Sequence, residues 1–194
     1  MKLILASTSP RRAEVLRNAA IPFDAVPANV DEVRRPNEAA EELVSRLAEA
    51  KARSAAARAA SSAGPTLVVG ADTAVVVDGV VLGKPASAED ARDMLRRLSG
   101  RTHGVITGLA VIRLPDGATR AERETTLVTF APLSEQEIED YVASGEPFDK
   151  AGAYAIQGRG GRFVTCVEGC YFNVVGLPLA RLYRILREFG WPGR

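Results

Sequence analysis

Short apolar runs that read as buried strands alternate along this 194-residue chain with longer runs that read as helices. No other feature limits the fold as strongly. Lys2–Ala6 reads as a short buried strand and Phe23–Val26 as a second. Between them, Ser9 caps a helix whose first position is Pro10, where a missing N–H costs nothing, and Ile21-Pro22 ends it. Pro36-Asn37 opens a long Ala-rich helix to about Ser61, stopped by Ser61-Ser62-Ala63-Gly64-Pro65. Leu67-Val68-Val69 is a strand running into Gly70-Ala71-Asp72-Thr73. Asp78-Gly79 then signals a hairpin between Ala74–Val77 and Val80–Leu82. Ser87 caps a helix to about Leu98, and strands follow around Val105–Arg113 and Thr125–Phe130, joined through Pro115-Asp116-Gly117. Ser134-Glu135-Gln136-Glu137 is a capping box for a helix to about Ser144. A Gly-rich stretch, Ala151–Gly161, precedes a strand at Phe163–Val167, and Gly176-Leu177-Pro178 opens a last helix to about Phe189. The pattern predicts one α/β domain over residues 1–194, a mixed twisted sheet with flanking helices.

Composition excludes several classes. Twenty-five basic residues face 24 acidic ones, so the net charge is +1 and no strong field marks a nucleic-acid or membrane binder. No stretch approaches the roughly 20 apolar residues of a membrane helix. The apolar run after Met1 is too short for a signal peptide, since Ser7 interrupts it. Cys166 and Cys170 are the only cysteines, their spacing lacks a second ligand pair, and His103 is remote. They read as buried free thiols of a cytoplasmic protein rather than as a disulfide or zinc site.

Five groups of residues carry candidate chemistry. Ser7-Thr8-Ser9-Pro10-Arg11-Arg12 places two arginines in the first turn of a helix, where they face the positive end of the macrodipole. Hydroxyls, free N–H groups and guanidinium forks there suit an anion; the same residues also suit a capped helix with two solvated arginines. Asp72, at the end of a strand and followed by Thr73, suits a general base, a metal ligand or a turn cap, and Gly70 before it admits a ligand closely. Lys51 and Lys84 add charge that would help neutralise a triphosphate. Asp31-Glu32 is either a surface pair or, beside Asp72, an oxygen ligand for a divalent cation. In Asp149–Gly158, Gln157 carries an amide that both donates and accepts, as a uracil or thymine edge requires. No GxxxxGK[ST] or GxGxxG is present, so neither a P-loop nor a dinucleotide fold is supported.

In this order the blocks resemble the Maf family of nucleotide pyrophosphatases. The matching blocks are Leu5–Arg12, Val69–Thr73, Leu82–Pro85, Leu98–His103, Asp149–Tyr154 and Val174–Pro178. The resemblance implies an inosine-triphosphate-pyrophosphatase-like fold with two lobes around a central cleft, and a homodimer. It implies hydrolysis of a nucleoside triphosphate to the monophosphate and pyrophosphate with a divalent cation, Mg²⁺ or Mn²⁺. Asp72 takes the catalytic position; Arg11, Thr73 and Gln157 take the specificity positions. Ser7, Arg12, Glu32, Lys51 and Lys84 take phosphate- or metal-handling positions, with Glu32 and Asp72 as the metal ligands. The Ala153–Gly158 block is similar to that of the branch acting on dTTP and UTP, while other branches take methylated guanine or other nucleotides. Thr8 departs from the glycine common there and so removes backbone freedom. The family's older description, as inhibitors of septum formation, leaves a non-catalytic nucleotide sensor as the rival reading. Neither reading needs a nucleic-acid or membrane partner.

Overall fold

The computed structural model describes residues 1–59 and 64–193. Its strands are β1 (Lys2–Leu5), β2 (Asp24–Ala25), β3 (Thr66–Val77), β4 (Val80–Leu82), β5 (Thr102–Leu114), β6 (Thr119–Phe130) and β7 (Val164–Glu168). Its α-helices are α1 (Pro10–Asn18), α2 (Ala40–Ala59), α3 (Ala88–Leu98), α4 (Glu135–Ala143), α5 (Tyr171–Val175) and α6 (Leu179–Glu188). The strands form one sheet in the order β2-β1-β3-β5-β6-β7, with β4 paired to β3 off that path. β1 runs parallel to both β2 and β3, whereas β3–β4 and β6–β7 are antiparallel. The α/β class and the mixed sheet are as the sequence predicts.

Two compact units divide the chain. One comprises Met1–Asp72, Thr107–Glu124 and Gly176 onward; the other comprises Thr73–Ile106 and Thr125–Val175. β3, β5 and β6 each pass from one unit to the other along their length.

In the first unit, α2 lays an alanine stripe on the sheet. Ala48, Ala52, Ala55, Ala56 and Ala59 pack with Ile4, Ala6, Val68, Ala110 and Ile112. Small side chains bring the helix backbone close, and the sheet answers with glycine. A Cβ on Gly70 would lie 2.2 Å from the Ala48 carbonyl oxygen, and one on Gly108 would lie 2.2 Å from that of Val44. The expectation that Gly70 admits a ligand is therefore corrected: the helix takes up that approach.

The second unit is built differently. Leu95 and Leu98 of α3 and Ile138 and Tyr141 of α4 join Val75, Val128 and Phe163 in one core. Phe130 and Tyr154 meet edge to face at 4.8 Å, and His103 lies 5.1 Å from Phe130 in the same cluster. His103 is 2% exposed. Its Nε2 pairs with the Tyr154 hydroxyl at 2.8 Å, and its Nδ1 has no partner among the described residues.

Local signals agree with the structure. The Ser9 and Ser87 side chains accept helix N–H groups, and Ser134 with Glu137 closes a capping box. Asp78 and Gly79 both have positive φ, as a type I′ hairpin turn requires. Other expectations need correction. α2 begins at Ala40, not at Pro36-Asn37. Asn37 is left-handed at φ 58°, and the Glu38 carboxylate is taken by Arg46 Nε at 2.5 Å and by the Arg35 N–H at 3.0 Å. The expected stop at Ser61-Ser62-Ala63 lies outside the described residues. β3 continues through Asp72, so that residue lies within a strand rather than at its end. Cys166 is exposed on β7 and Cys170 half-buried, so neither is the buried thiol expected, although both are free.

Two outcomes follow from this packing. Gly70→Ala must push α2 from the sheet and should lower unfolding stability by about 1–3 kcal/mol, read by urea denaturation. Burial lowers the His103 pKa from 6.5 to about 4. The unfolded chain thus takes up a proton that the folded chain refuses, so stability from this residue is complete above pH 6.5 and lost as pH falls toward 4. Between pH 8 and pH 5 the loss should be about 2 kcal/mol, and in His103→Gln the pH dependence should shrink by that amount. His103 is the sole histidine, so its NMR signal reports the titration directly.

Candidate active site

Three segments of the first unit converge because they follow neighbouring parallel strands. β1 ends at Leu5 beside Val69, and the Ala6 N–H bonds to the Val69 carbonyl at 2.7 Å. Ser7–Arg12 thus leaves the sheet where β3 continues into Asp72. The Val26 N–H bonds to the Leu5 carbonyl at 2.9 Å, so the loop holding Glu32 leaves from the same end. Carboxyl ends of parallel strands are where open α/β sheets place ligands.

α2 supplies the residue that ties these segments together. Lys51 falls on its buried stripe, between Ala48 and Ala52. Short neighbours leave room for the stem, and the ammonium emerges between two carboxylates. Its Nζ lies 2.6 Å from Asp72 Oδ1 and 2.6 Å from Glu32 Oε1. The side chains of Lys51, Asp72 and Glu32 are 9%, 14% and 50% exposed, so the pair with Asp72 is largely shielded while Glu32 faces water. A charge this buried costs several kcal/mol unless paired, and here it is paired twice.

The Ser7–Arg12 turn is built for a second purpose. Ser7 Oγ accepts the Ser9 N–H at 3.1 Å and Arg12 Nη1 at 3.3 Å. Arg12 is buried and its Nε donates to the Gly176 carbonyl at 2.7 Å. Burial pushes its pKa down, the charges of Asp72 and Glu32 push it up, and Arg11 pushes it down again. A guanidinium stays protonated even so. Arg12 is thus an anchored cation within electrostatic reach of the carboxylate pair. Arg11, next to it, is half-buried in a helix turn with no acidic residue.

The site residues expected from sequence therefore divide. Ser7, Arg11, Arg12, Glu32, Lys51 and Asp72 belong to the first unit. Thr73, Lys84 and Gln157 belong to the second. Thr73 follows Asp72 directly on β3 and, like it, is half-buried. Lys84 is exposed in the turn after β4, and Gln157 is exposed in the Gly-rich segment, which folds as short 3₁₀ turns.

Sequence reasoning missed the staple behind Glu32. Arg46 on α2 grips Glu38 through two nitrogens, at 2.5 and 2.8 Å, and donates to the Val33 carbonyl at 3.1 Å. Arg34 donates twice to the Glu38 carbonyl, at 2.9 and 2.6 Å. The pairing holds the Glu38 carboxyl down at about 2. Charges of both signs beside Pro36 were the only signal. Lys51 was legible as a candidate, but its burial was missed, although its place on the Ala48–Ala52–Ala55 stripe is visible in the spacing.

A divalent cation can be tested against these donors. Glu32 and Asp72 present hard carboxylate oxygens close enough together to share one ammonium. Among the described residues no group of three or more His, Cys, Asp or Glu could hold a metal. Two carboxylates completed by substrate phosphates and water is the usual Mg²⁺ arrangement, so the residues fit.

The family model described as Maf-like protein matches residues 2–189. A dTTP/UTP pyrophosphatase of Symbiobacterium thermophilum is 50% identical over 98% of this chain and 95% of its own. One of Koribacter versatilis is 51% identical, again over 98% and 95%. Among solved structures, a Ham1 protein of Staphylococcus aureus is 13% identical over 97% of this chain and 99% of its own, with a TM-score of 0.45, too remote to bear on the site.

Breaking the central pair should be costly. Lys51→Met strands the shielded Asp72 carboxylate, and a double-mutant cycle with Asp72→Asn by urea denaturation should give a coupling of about 1–3 kcal/mol. Strict additivity would mean that the two groups do not depend on one another.

Proposed function

The chain belongs to the Maf family, and on that premise we propose that it hydrolyses a nucleoside triphosphate, dTTP or UTP foremost, to the monophosphate and pyrophosphate. The observation that carries the reading is the Asp72 carboxylate, held by Lys51 at 2.6 Å within electrostatic reach of the buried Arg12 cation. A site that only bound phosphate would gain nothing from that negative charge.

In this reading the α1 N-terminus, Arg11, Arg12 and Ser7 receive the triphosphate, and Lys84 adds charge. Lys51 holds the Asp72 side chain in one orientation. Asp72 orients a water for attack on the α-phosphorus and accepts its proton as pyrophosphate leaves. Such chemistry needs mainly positioning and charge neutralisation, which these residue types supply. A Mg²⁺ or Mn²⁺ ion held by Glu32 and Asp72 would supply Lewis-acid charge neutralisation when bound. Gln157 and Thr73 select the base. Nucleotide-pool cleaning in the cytoplasm by a homodimer belongs to the same reading. No helix among the described residues is long and apolar enough to cross a membrane.

The test is a panel of canonical and modified nucleoside triphosphates with Mg²⁺. Monophosphate and pyrophosphate should appear, fastest from dTTP and UTP. Diphosphate and phosphate would overturn the mechanism, and no turnover would favour a nucleotide sensor. Asp72→Asn should lower kcat by about 10²–10⁴-fold while nucleotide Kd, by calorimetry, changes by less than about tenfold.

A further inference from the structure

The segment that carries Gln157 hangs on one pair of side chains. Tyr141, in the last turn of α4, donates its hydroxyl to Glu146 Oε1 at 2.7 Å. The same hydroxyl oxygen accepts the Ala155 N–H at 3.1 Å. Glu146 Oε2 accepts the Arg159 N–H at 3.0 Å, and Oε1 accepts the Gly160 N–H at 3.1 Å. The backbone is thus held two residues before Gln157 and again two and three residues after it. All of these residues lie in the second unit.

Nothing in α4 itself needs this arrangement. That helix is capped at its start by Ser134 and Glu137, and the Ser144 hydroxyl bonds to the Tyr141 carbonyl at its end. The Glu146 carboxylate is instead spent on main-chain N–H groups of a remote loop. The loop is shaped to receive it: a Cβ on Gly158 would lie 2.7 Å from Oε1 and 2.8 Å from Oε2. Upstream in the same stretch, Gly152 and Ala153 are consecutive left-handed residues, at φ 71° and 57°. Such backbone persists only where its surroundings over-determine it. Here the Gly152 N–H bonds to the Gly83 carbonyl at 3.0 Å, and Ala153 is fully buried. The segment is therefore fixed on both sides of Gln157, which remains exposed.

We propose that Glu146, acting with Tyr141, is a positioning residue for base selection: it sets the backbone that presents the Gln157 amide. This rests on the proposed nucleotide hydrolysis and on the place of Gln157 in it. An amide reads a base edge only if its donor and acceptor are held in register, and a backbone free to rotate would offer either group to either edge. Neither Glu146 nor Tyr141 touches the reacting atoms in this account. Their loss should therefore act on discrimination rather than on the chemical step.

The experiment compares wild type, Glu146→Gln and Tyr141→Phe for kcat and KM on dTTP, UTP, dCTP and CTP, with amide exchange measured on each protein. Tyr141→Phe keeps the aromatic packing and removes only the hydroxyl, so it serves if Glu146→Gln folds poorly. The Ala155 amide should lose protection in Tyr141→Phe, and in Glu146→Gln one of the Arg159 and Gly160 amides should, because the carboxamide keeps a single acceptor oxygen. In both, KM for dTTP should rise about tenfold and preference over the cytosine nucleotides should fall about tenfold, with kcat for dTTP within about threefold. Freed amides with unchanged selectivity and KM would overturn the proposal, as would a loss confined to kcat and equal for every base. Absence of turnover by wild type would instead overturn the proposed function and this inference with it.

Discussion

The ammonium of Lys51 lies between the carboxylates of Asp72 and Glu32, and much of the first unit serves to put it there. A long cationic side chain does not enter a sheet–helix interface unless its charge is met. The stem passes between alanines because α2 is made of small residues on that side. The helix lies close because Gly70 and Gly108 offer no Cβ. Glu32 arrives because Arg46 and Glu38 fasten its loop to the same helix. Asp72 arrives because β3 runs on past the point where β1 stops. Disturbing any of these contacts moves a charge partner.

The sheet's polarity explains why the Ser7–Arg12 turn and the Asp72 carboxylate share a neighbourhood. β1 and β3 are parallel, so the helix start after β1 and the continuation of β3 emerge at the same edge. Arg12 closes this arrangement from far along the chain, bonding to the Gly176 carbonyl across 164 residues of sequence. The second unit rests on other physics. Its core is aromatic and aliphatic, with a neutral histidine sealed inside, and its Gly-rich segment is shaped by a tyrosine–glutamate pair rather than by strand pairing.

Legibility followed the range of the interaction. The Ser9, Ser87 and Ser134 caps and the Asp78-Gly79 turn were readable, because each is settled within four residues by backbone hydrogen bonds and φ preference. The α2 start is not legible because Arg46, eight residues beyond Glu38, commits Glu38 to the preceding loop, where Asn37 is left-handed. Gly70 suits a ligand or a helix equally in sequence terms, because a sequence does not reveal which backbone will cross a strand. α5 and the first half of β6 are not legible in the sequence, since their residues carry neither a cap signal nor clean alternation. Cys166 was expected inside because free cysteine is usually buried, and β7 leaves it exposed.

By itself the sequence determined the class of fold, the helix starts with local caps and the chemical types at the site: hydroxyls, guanidinium groups, lysines, carboxylates and one amide. These follow from periodicity and from interactions a few residues long, which any chain of this pattern would make. Only the tertiary structure decided which of those groups meet. It put Lys51 under two carboxylates, turned Arg12 into an anchored cation and hung the Gln157 segment on Glu146. The reason is that a buried charge or a shaped loop is specified by partners tens of residues away. Their approach depends on backbone packing, such as α2 over Gly70, that residue types alone do not encode.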